Sequence, residues 1–99
     1  MINLLQETKD CIECIEKSIN DIIYIGDLEG NCCTWQEFEV MSDFDYNDGY
    51  GGAEVLTDLV IIFNNGTWLE RGEYDGSEWW DCKKCPEVLN NGTLTKLFR

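Results

Sequence analysis

The sequence predicts a single α+β domain over residues 1–99, in which two helices pack on one face of a small antiparallel meander sheet of three or four strands. Apolar residues recur at three- and four-residue steps near the amino terminus, which is the helical period. In the second half, β-branched and aromatic runs are separated by short turns that contain glycine. Hydrophobic residues make up 43% of the 99 residues, which is enough for one core.

The first half of the chain predicts a helix, a strand and a second helix. The first helix is expected to end near Asn20, and the apolar residues that recur at helical steps are Leu5, Ile12, Ile15, Ile19 and Ile22. The β-branched run 21–25 predicts a short strand. Thr34-Trp35-Gln36-Glu37 has the Ser/Thr-x-x-Glu form of a capping box, so a second helix is expected to follow it and to end near Asp43.

The second half predicts the strands of the meander, at 56–63, 67–73 and 78–83, with a last short strand at 93–98. Asn65-Gly66 and Asp75-Gly76 lie between strands, and such pairs accommodate the positive φ of tight turns. An antiparallel sheet covered by helices has one buried and one open face. Alternation along the third strand therefore places one of the neighbours Trp79 and Trp80 on the open face.

The charge of the chain is strongly negative, with a formal net charge of −13. Residues 18–82 contain 15 acidic residues and one base, Arg71. Such a surface attracts basic partners and repels phosphate and anionic lipid, so we expect neither direct nucleic-acid binding nor membrane association. The first residues lack the basic start and apolar run of a secretory signal, which favours a cytoplasmic location.

Catalytic and metal sites receive little support from the sequence. There is no histidine to act as a general base, and we expect no enzyme activity, no cofactor and no metal. Cys82-x-x-Cys85 has zinc-knuckle spacing, but Cys11-x-x-Cys14 falls within the predicted helix, so six free thiols are expected. The stretch from Asp43 to Glu54 imitates a calcium loop, but it has an aspartate where the turn needs glycine.

Two stretches of the chain resemble a family of small acidic proteins from bacteriophages and mobile elements: Asp58-Leu59-Val60-Ile61-Ile62-Phe63 and Trp68-Leu69-Glu70-Arg71-Gly72-Glu73-Tyr74-Asp75-Gly76-Ser77-Glu78-Trp79-Trp80. Thr34-Trp35-Gln36-Glu37-Phe38 and Tyr50-Gly51-Gly52 resemble the same family, and the likeness covers roughly residues 21–86. In size and charge the chain is similar to phage-encoded anti-CRISPR and anti-restriction inhibitors. The resemblance implies a non-enzymatic inhibitor that occupies a basic nucleic-acid-binding surface of a host defence complex.

The candidate partner-binding residues are acids that orient a basic partner and aromatic residues that anchor it. The acids are Asp43, Asp45, Asp48, Glu54, Glu70, Glu73, Asp75, Glu78 and Asp81, and the aromatic anchors are Tyr74, Trp79 and Trp80. The alternative interpretation is a structural or regulatory interaction module, with or without a stabilising metal, whose acids serve only solubility. The sequence predicts neither the identity of the target nor the oligomeric state.

Overall fold

A computed structural model describes residues 1–49, 52–86 and 92–98, and these residues form two α-helices and two antiparallel sheets, which confirms the α+β class. The elements, in chain order, are β1 (Ile2–Asn3), α1 (Leu4–Cys14), a 3₁₀ helix (Ile19–Asp21), β2 (Ile22–Gly26), α2 (Trp35–Met41), β3 (Asp45–Tyr46), β4 (Val60–Phe63), β5 (Thr67–Tyr74) and β6 (Ser77–Lys84). The larger sheet has the strand order β2-β4-β5-β6, and the smaller one pairs β1 with β3.

Helix α1 begins at a side-chain cap and ends earlier than predicted. Asn3 accepts a hydrogen bond from the backbone N–H of Gln6 and so satisfies a free donor of the first turn. At the other end Glu16 adopts a left-handed φ of 59°, and the N–H of Lys17 bonds back to the carbonyl of Ile12. This is the closed end of a Schellman motif, so the helix cannot extend to Asn20 as predicted.

Helix α2 begins at the predicted capping box. The backbone N–H of Glu37 donates to Oγ1 of Thr34 at 3.1 Å, and the backbone N–H of Thr34 donates to Oε1 of Glu37 at 2.9 Å. The helix ends at Met41 rather than near Asp43, and the hydroxyl of Ser42 donates to the carbonyl of Phe38. Tyr50 and Gly51, from the glycine turn noted in the sequence, lie outside the described residues.

The predicted meander is present, but its first and last strands differ from the prediction. Strand β4 starts at Val60 rather than at position 56, because the N–H of Leu59 turns back to the carbonyl of Leu56. Asp75 and Gly76, with φ of 52° and 85°, form the two-residue turn between β5 and β6. Residues 93–98 belong to neither sheet, so the last predicted strand is wrong, and the two-residue strands β1 and β3 were not predicted.

The buried core draws side chains from both helices and from the larger sheet. Its cluster of buried side chains contains Leu4, Ile12, Ile25, Trp35, Phe38, Tyr46, Val55, Ile61, Phe63, Leu69 and Trp80. Thr8 of α1 is fully buried, and its Oγ1 accepts a hydrogen bond from the indole N–H of Trp80 at 2.9 Å. We call the face that contains Leu69 and Trp80 the core face, and the opposite side of the sheet the open face.

Alternation along β6 places the two adjacent tryptophans on opposite faces of the sheet. Trp80 points to the core face and is 7% exposed, whereas Trp79 points to the open face and is 37% exposed. The expectation that one of them lies on the open side is therefore confirmed, and that residue is Trp79. Within the described ranges, no helix has the length and apolarity needed to cross a membrane.

Candidate functional site

Arg71, the one base between residues 18 and 82, is held on the core face with its side chain only 3% exposed. Its guanidinium lies 3.5 Å from Oε1 of Glu7 and 3.2 Å from Oε1 of Glu78, and it donates to the hydroxyl of Tyr46 at 2.9 Å. The ring of Trp80 lies 4.8 Å from its central carbon. Because this positive charge is buried and paired, it does not neutralise the acids at the surface.

The same network removes two predicted partner-binding residues from the surface. Glu78 is buried, and its carboxylate accepts hydrogen bonds from Arg71 and from the backbone N–H groups of Glu54 and Val55 at 2.6 and 3.1 Å. Trp80 is buried between α1 and Arg71. The assignment of Glu78 and Trp80 to an exposed binding surface is therefore corrected: both stabilise the core.

Tyr46 completes this network as both a donor and an acceptor. Its hydroxyl donates to Oε1 of Glu7 at 2.7 Å and accepts from Arg71. Burial, and the hydrogen bond to Glu7, raise the pKa of the Tyr46 hydroxyl far above its usual range, so it stays protonated. Thus β3, which carries Tyr46, is joined to both α1 and β5.

The open face carries two carboxylates directly opposite each other. Glu70 on β5 pairs in register with Asp81 on β6. The indole N–H of Trp68 donates to Glu70 at 2.9 Å, and that of Trp79 donates to Asp81 at 2.8 Å. Each strand thus repeats one unit, a tryptophan followed two residues later by the acid that it orients. We call these four residues the Trp–acid face.

Gly72 leaves room on β5 for the indole of Trp79 and the carboxylate of Asp81. It lies opposite Trp79, and a Cβ at this position would come within 2.7 Å of the indole nitrogen of Trp79 and would also collide with the Asp81 carboxylate. The absence of a side chain therefore lets the indole lie across the backbone of β5. A residue of any other type would push Trp79 away from Asp81.

A second group of predicted acids surrounds the turn between β5 and β6. Tyr74 is 78% exposed, and Glu73 and Asp75 beside it are exposed as well. The backbone of Asp48 reaches this end of the sheet, because its carbonyl accepts from the N–H of Glu78 at 2.8 Å. The backbone N–H of Asn47 donates to the Glu54 carboxylate at 3.1 Å, which brings Glu54 to the same end.

Asp43 and Asp45 lie beside the amino end of α1. The side-chain amide of Asn3 donates to both carboxylates, at 3.0 and 3.3 Å. Asn3 also pairs in register with Asp45 across the β1–β3 ladder. These two aspartates therefore have a local structural role in addition to their exposure.

The cysteines and acids do not converge on a metal site in the described parts of the chain, where no group of three or more His, Cys, Asp or Glu residues could hold an ion. Cys82 lies within β6, whereas the N–H of Cys85 bonds to the carbonyl of Gly66. All six cysteines are free thiols. Burial raises the pKa of the Cys11 and Cys33 thiols, which disfavours the thiolate that binds metal.

An apolar cavity of about 370 Å³ opens near α2, away from the Trp–acid face. Phe38, Met41, Leu56 and Leu59 are among the side chains that line it, and Asp27 and Glu54 are its acidic residues. Its size falls within the range of small-molecule pockets. Hydrogen bonds from Asn31 hold the pKa of Asp27 below its usual range, so this aspartate remains charged beside the cavity.

Trp68, a member of the Trp–acid face, and Gly72, which lies under the Trp79 indole, were missed by reasoning from the sequence. The signal that could have found Trp68 is the repeated Trp-x-acid spacing at Trp68-x-Glu70 and Trp79-x-Asp81. No family model, no curated protein and no solved structure matches the chain. The interpretation of this face therefore depends on its own geometry and chemistry.

Proposed function

We propose that the chain is a non-catalytic binding protein whose Trp–acid face and neighbouring turn occupy a basic, nucleic-acid-binding surface of a partner protein. The observation that carries this proposal is the opposed pair of Glu70 and Asp81, each oriented by an indole N–H on a partly exposed face. The resemblance to phage-encoded anti-CRISPR and anti-restriction inhibitors makes a host defence complex the partner class that we propose.

The chemistry of this face suits an arginine side chain of the partner. Carboxylates accept the parallel N–H donors of a guanidinium, and the flat guanidinium stacks on aromatic rings. Glu70 and Asp81 supply the acceptors, and the partly exposed ring of Trp79 supplies the aromatic surface. Like charges placed directly opposite each other destabilise a sheet, and a bound cation would relieve that repulsion.

The proposal includes the packing of both helices on the core face, so that the opposite face stays accessible. Thr8 of α1 bonds to Trp80 on the core face. Phe38 of α2 belongs to the same buried cluster as Ile61 and Leu69, whose side chains share that face. The acids around Tyr74 extend the negative surface beyond the end of the sheet.

The experiment measures binding of an arginine-rich peptide by titration calorimetry at increasing salt. We expect affinity to fall steeply as salt rises, because exposed charges are screened over about 10 Å at 0.1 M. Reversal of both open-face acids, Glu70→Lys with Asp81→Lys, should abolish binding. The matched control reverses two exposed acids of α1, Asp10→Lys with Glu13→Lys, and changes the net charge by the same amount.

Identification of the natural partner uses the whole protein as bait in a bacterial lysate at low salt. We expect basic nucleic-acid-binding proteins to be captured, and duplex DNA to displace them. Peptide binding that does not change with salt would rule out a charge-based mechanism. Equal losses in the open-face and α1 variants would show that total charge, rather than the Trp–acid face, governs binding.

A second candidate is an interaction module whose acids serve solubility. It is favoured by exposed carboxylates that lie away from the open face: those of Glu13 on α1, of Glu37 on α2, and of Glu29 in the segment between β2 and α2. Under this function, the natural partner would be retained at high salt. It would also bind the Glu70→Lys, Asp81→Lys variant as tightly as the unaltered protein.

A further inference from the structure

Strand β6 is an edge strand, with β5 as its neighbour on one side. In an antiparallel strand, the N–H and C=O groups of successive residues point alternately towards the paired strand and away from it. Glu78 fixes the direction, because its N–H donates away from β5 to the carbonyl of Asp48. The backbone groups of Trp80, Cys82 and Lys84, at two-residue steps from Glu78, therefore point away from the sheet. In the described part of the chain these groups have no hydrogen-bond partner.

The free stretch of this edge is bounded at both ends. At one end the N–H of Glu78 already donates a hydrogen bond to the carbonyl of Asp48. At the other end Cys85 bonds inward to Gly66, and Pro86 has no N–H to donate. The residues of β6 whose outward groups have no partner among residues 1–49, 52–86 and 92–98 are therefore centred on Cys82.

We propose that β6 of a second copy of this chain pairs with the free edge, antiparallel and about a two-fold axis at Cys82. In this register Trp80 pairs with Lys84 of the second copy, and Cys82 pairs with Cys82 of the second copy. Each such pair exchanges two N–H···O bonds, so the three outward-pointing residues of both edges are satisfied together. The proposal does not depend on the proposed function.

Side-chain charges select this register over its neighbours. With Cys82 on the axis, Asp81 lies opposite Lys83 of the second copy, and the reverse pair forms by symmetry. A shift by two residues in one direction would place Asp81 opposite itself, and a shift in the other direction would place Lys83 opposite itself. Opposite charges across an antiparallel pair stabilise it and like charges destabilise it.

The local charge of the edge also permits a second copy to approach. Lys83 and Lys84 are the one pair of adjacent bases in this strongly acidic sequence. A shift by a single residue is disfavoured because it would turn one strand's core-facing side chains to the opposite face. The two sheets would thus become one continuous sheet with both open faces on the same side, and Trp79 and Asp81 of both copies would lie near the joint.

The first test measures the oligomeric state of the full chain by sedimentation equilibrium in a reducing buffer. We expect a dimer whose dissociation constant rises about tenfold or more in Lys83→Glu, because both charge pairs become repulsive. The double variant Asp81→Lys, Lys83→Glu restores opposite charges and should dimerise again. Lys9→Glu on α1 makes the same single charge change on an exposed residue and should leave dimerisation unchanged. A monomer at all concentrations, or a dimer indifferent to Lys83→Glu, would overturn the proposal.

The second test uses Cys82 as a probe of the axis. A hydrogen-bonded antiparallel pair has Cα atoms about 5.5 Å apart, which lies within the range that a disulfide can bridge. Diamide takes up the two electrons and two protons that a pair of thiols releases, and it should therefore link the copies through Cys82. Peptide mapping should find this link in the unaltered protein, and Cys82→Ser should lose it. Links through Cys14 or Cys32 in place of Cys82 would contradict the proposed axis.

The third test is hydrogen exchange at two protein concentrations. The amides of Trp80, Cys82 and Lys84 should exchange more slowly at the higher concentration, because the second copy accepts their hydrogen bonds. Trp79 and Asp81 already bond to β5, so their amides should change little. Equal exchange of the three outward amides at both concentrations would show that the edge stays free.

Discussion

The guanidinium of Arg71 lies 4.8 Å from the ring of Trp80, the residue directly opposite it on the neighbouring strand. This contact belongs to a network in which the carboxylates of Glu7 and Glu78 both pair with the guanidinium and the Tyr46 hydroxyl accepts a hydrogen bond from it. Through these side chains the network connects α1, β3, β5 and β6. The network therefore stabilises the packing of these four elements. Because it also buries the one base of residues 18–82, the acids at the surface of this region keep their negative charge.

Loss of the buried cation should strongly destabilise the fold. In Arg71→Ala the buried carboxylate of Glu78 and the carboxylate of Glu7, whose side chain is 12% exposed, lose their counter-charge, and we expect a loss of about 3–5 kcal/mol in the free energy of unfolding. Urea denaturation measures this value. The control Lys9→Ala, on an exposed position of α1, should change it by no more than about 0.5 kcal/mol. A loss below about 1 kcal/mol in Arg71→Ala would mean that the network adds little to stability.

Removal of the Thr8 hydroxyl should leave the indole N–H of Trp80 without a partner in the core. Thr8→Val keeps the volume of the side chain but removes the acceptor, and we expect a cost of about 1–3 kcal/mol. Thr8→Ser keeps the acceptor and loses a methyl group worth about 0.8 kcal/mol. Thermal unfolding of the two variants compares these costs, and a smaller loss for valine than for serine would contradict this account.

Neutralisation of one open-face acid should raise stability and weaken binding. Glu70→Gln keeps an oxygen acceptor for the indole of Trp68 but removes the repulsion from Asp81, so we expect a gain of about 0.2–1 kcal/mol. The gain should shrink at high salt, where the repulsion is screened. The same variant should bind an arginine-rich peptide more weakly. A variant that is both less stable and an equally good binder would count against the proposed role of this face.

Substitution of Gly72 tests the geometry of the Trp–acid face without a change in charge. The new methyl group of Gly72→Ala would occupy the space of the Trp79 indole, so we expect the indole to move away from Asp81. A shift in tryptophan fluorescence and weaker peptide binding should follow. Unchanged fluorescence and affinity would show that the position of Trp79 over β5 is unimportant for binding.

The capping box of α2 predicts a dependence of stability on pH. Hydrogen bonds from the backbone and side chain of Thr34 lower the folded-state pKa of Glu37 from its ordinary value of 4.5. Its contribution to stability is therefore fully present above pH 4.5 and is lost as the pH falls through the folded-state pKa. Glu37→Gln does not titrate, so the difference in melting temperature between it and the unaltered protein should be constant above pH 4.5 and shrink below it. A difference that is independent of pH down to pH 2 would contradict this assignment.

Features that depend on neighbours in the chain were predicted well. The Thr34 and Glu37 capping box and the Asp75-Gly76 turn follow from hydrogen bonds and φ preferences within a few residues, and both are present. The end of α1 was missed because Glu16 adopts a left-handed conformation that is rare outside glycine. The pairing of β1 with β3 was missed because two-residue strands far apart in the chain leave no periodic pattern.

By itself the sequence determined the charge imbalance, the α+β class and the alternation that exposes one tryptophan of an adjacent pair. Only the tertiary structure decided that Glu70 faces Asp81, that Trp79 rather than Trp80 is the exposed tryptophan, and that Glu78 is buried. The physical reason is that strand register and burial arise from contacts between residues distant in the chain. The ion pair of Arg71 with Glu7 joins residues 64 positions apart, and no local pattern specifies which acid pairs with the one base of the acidic region.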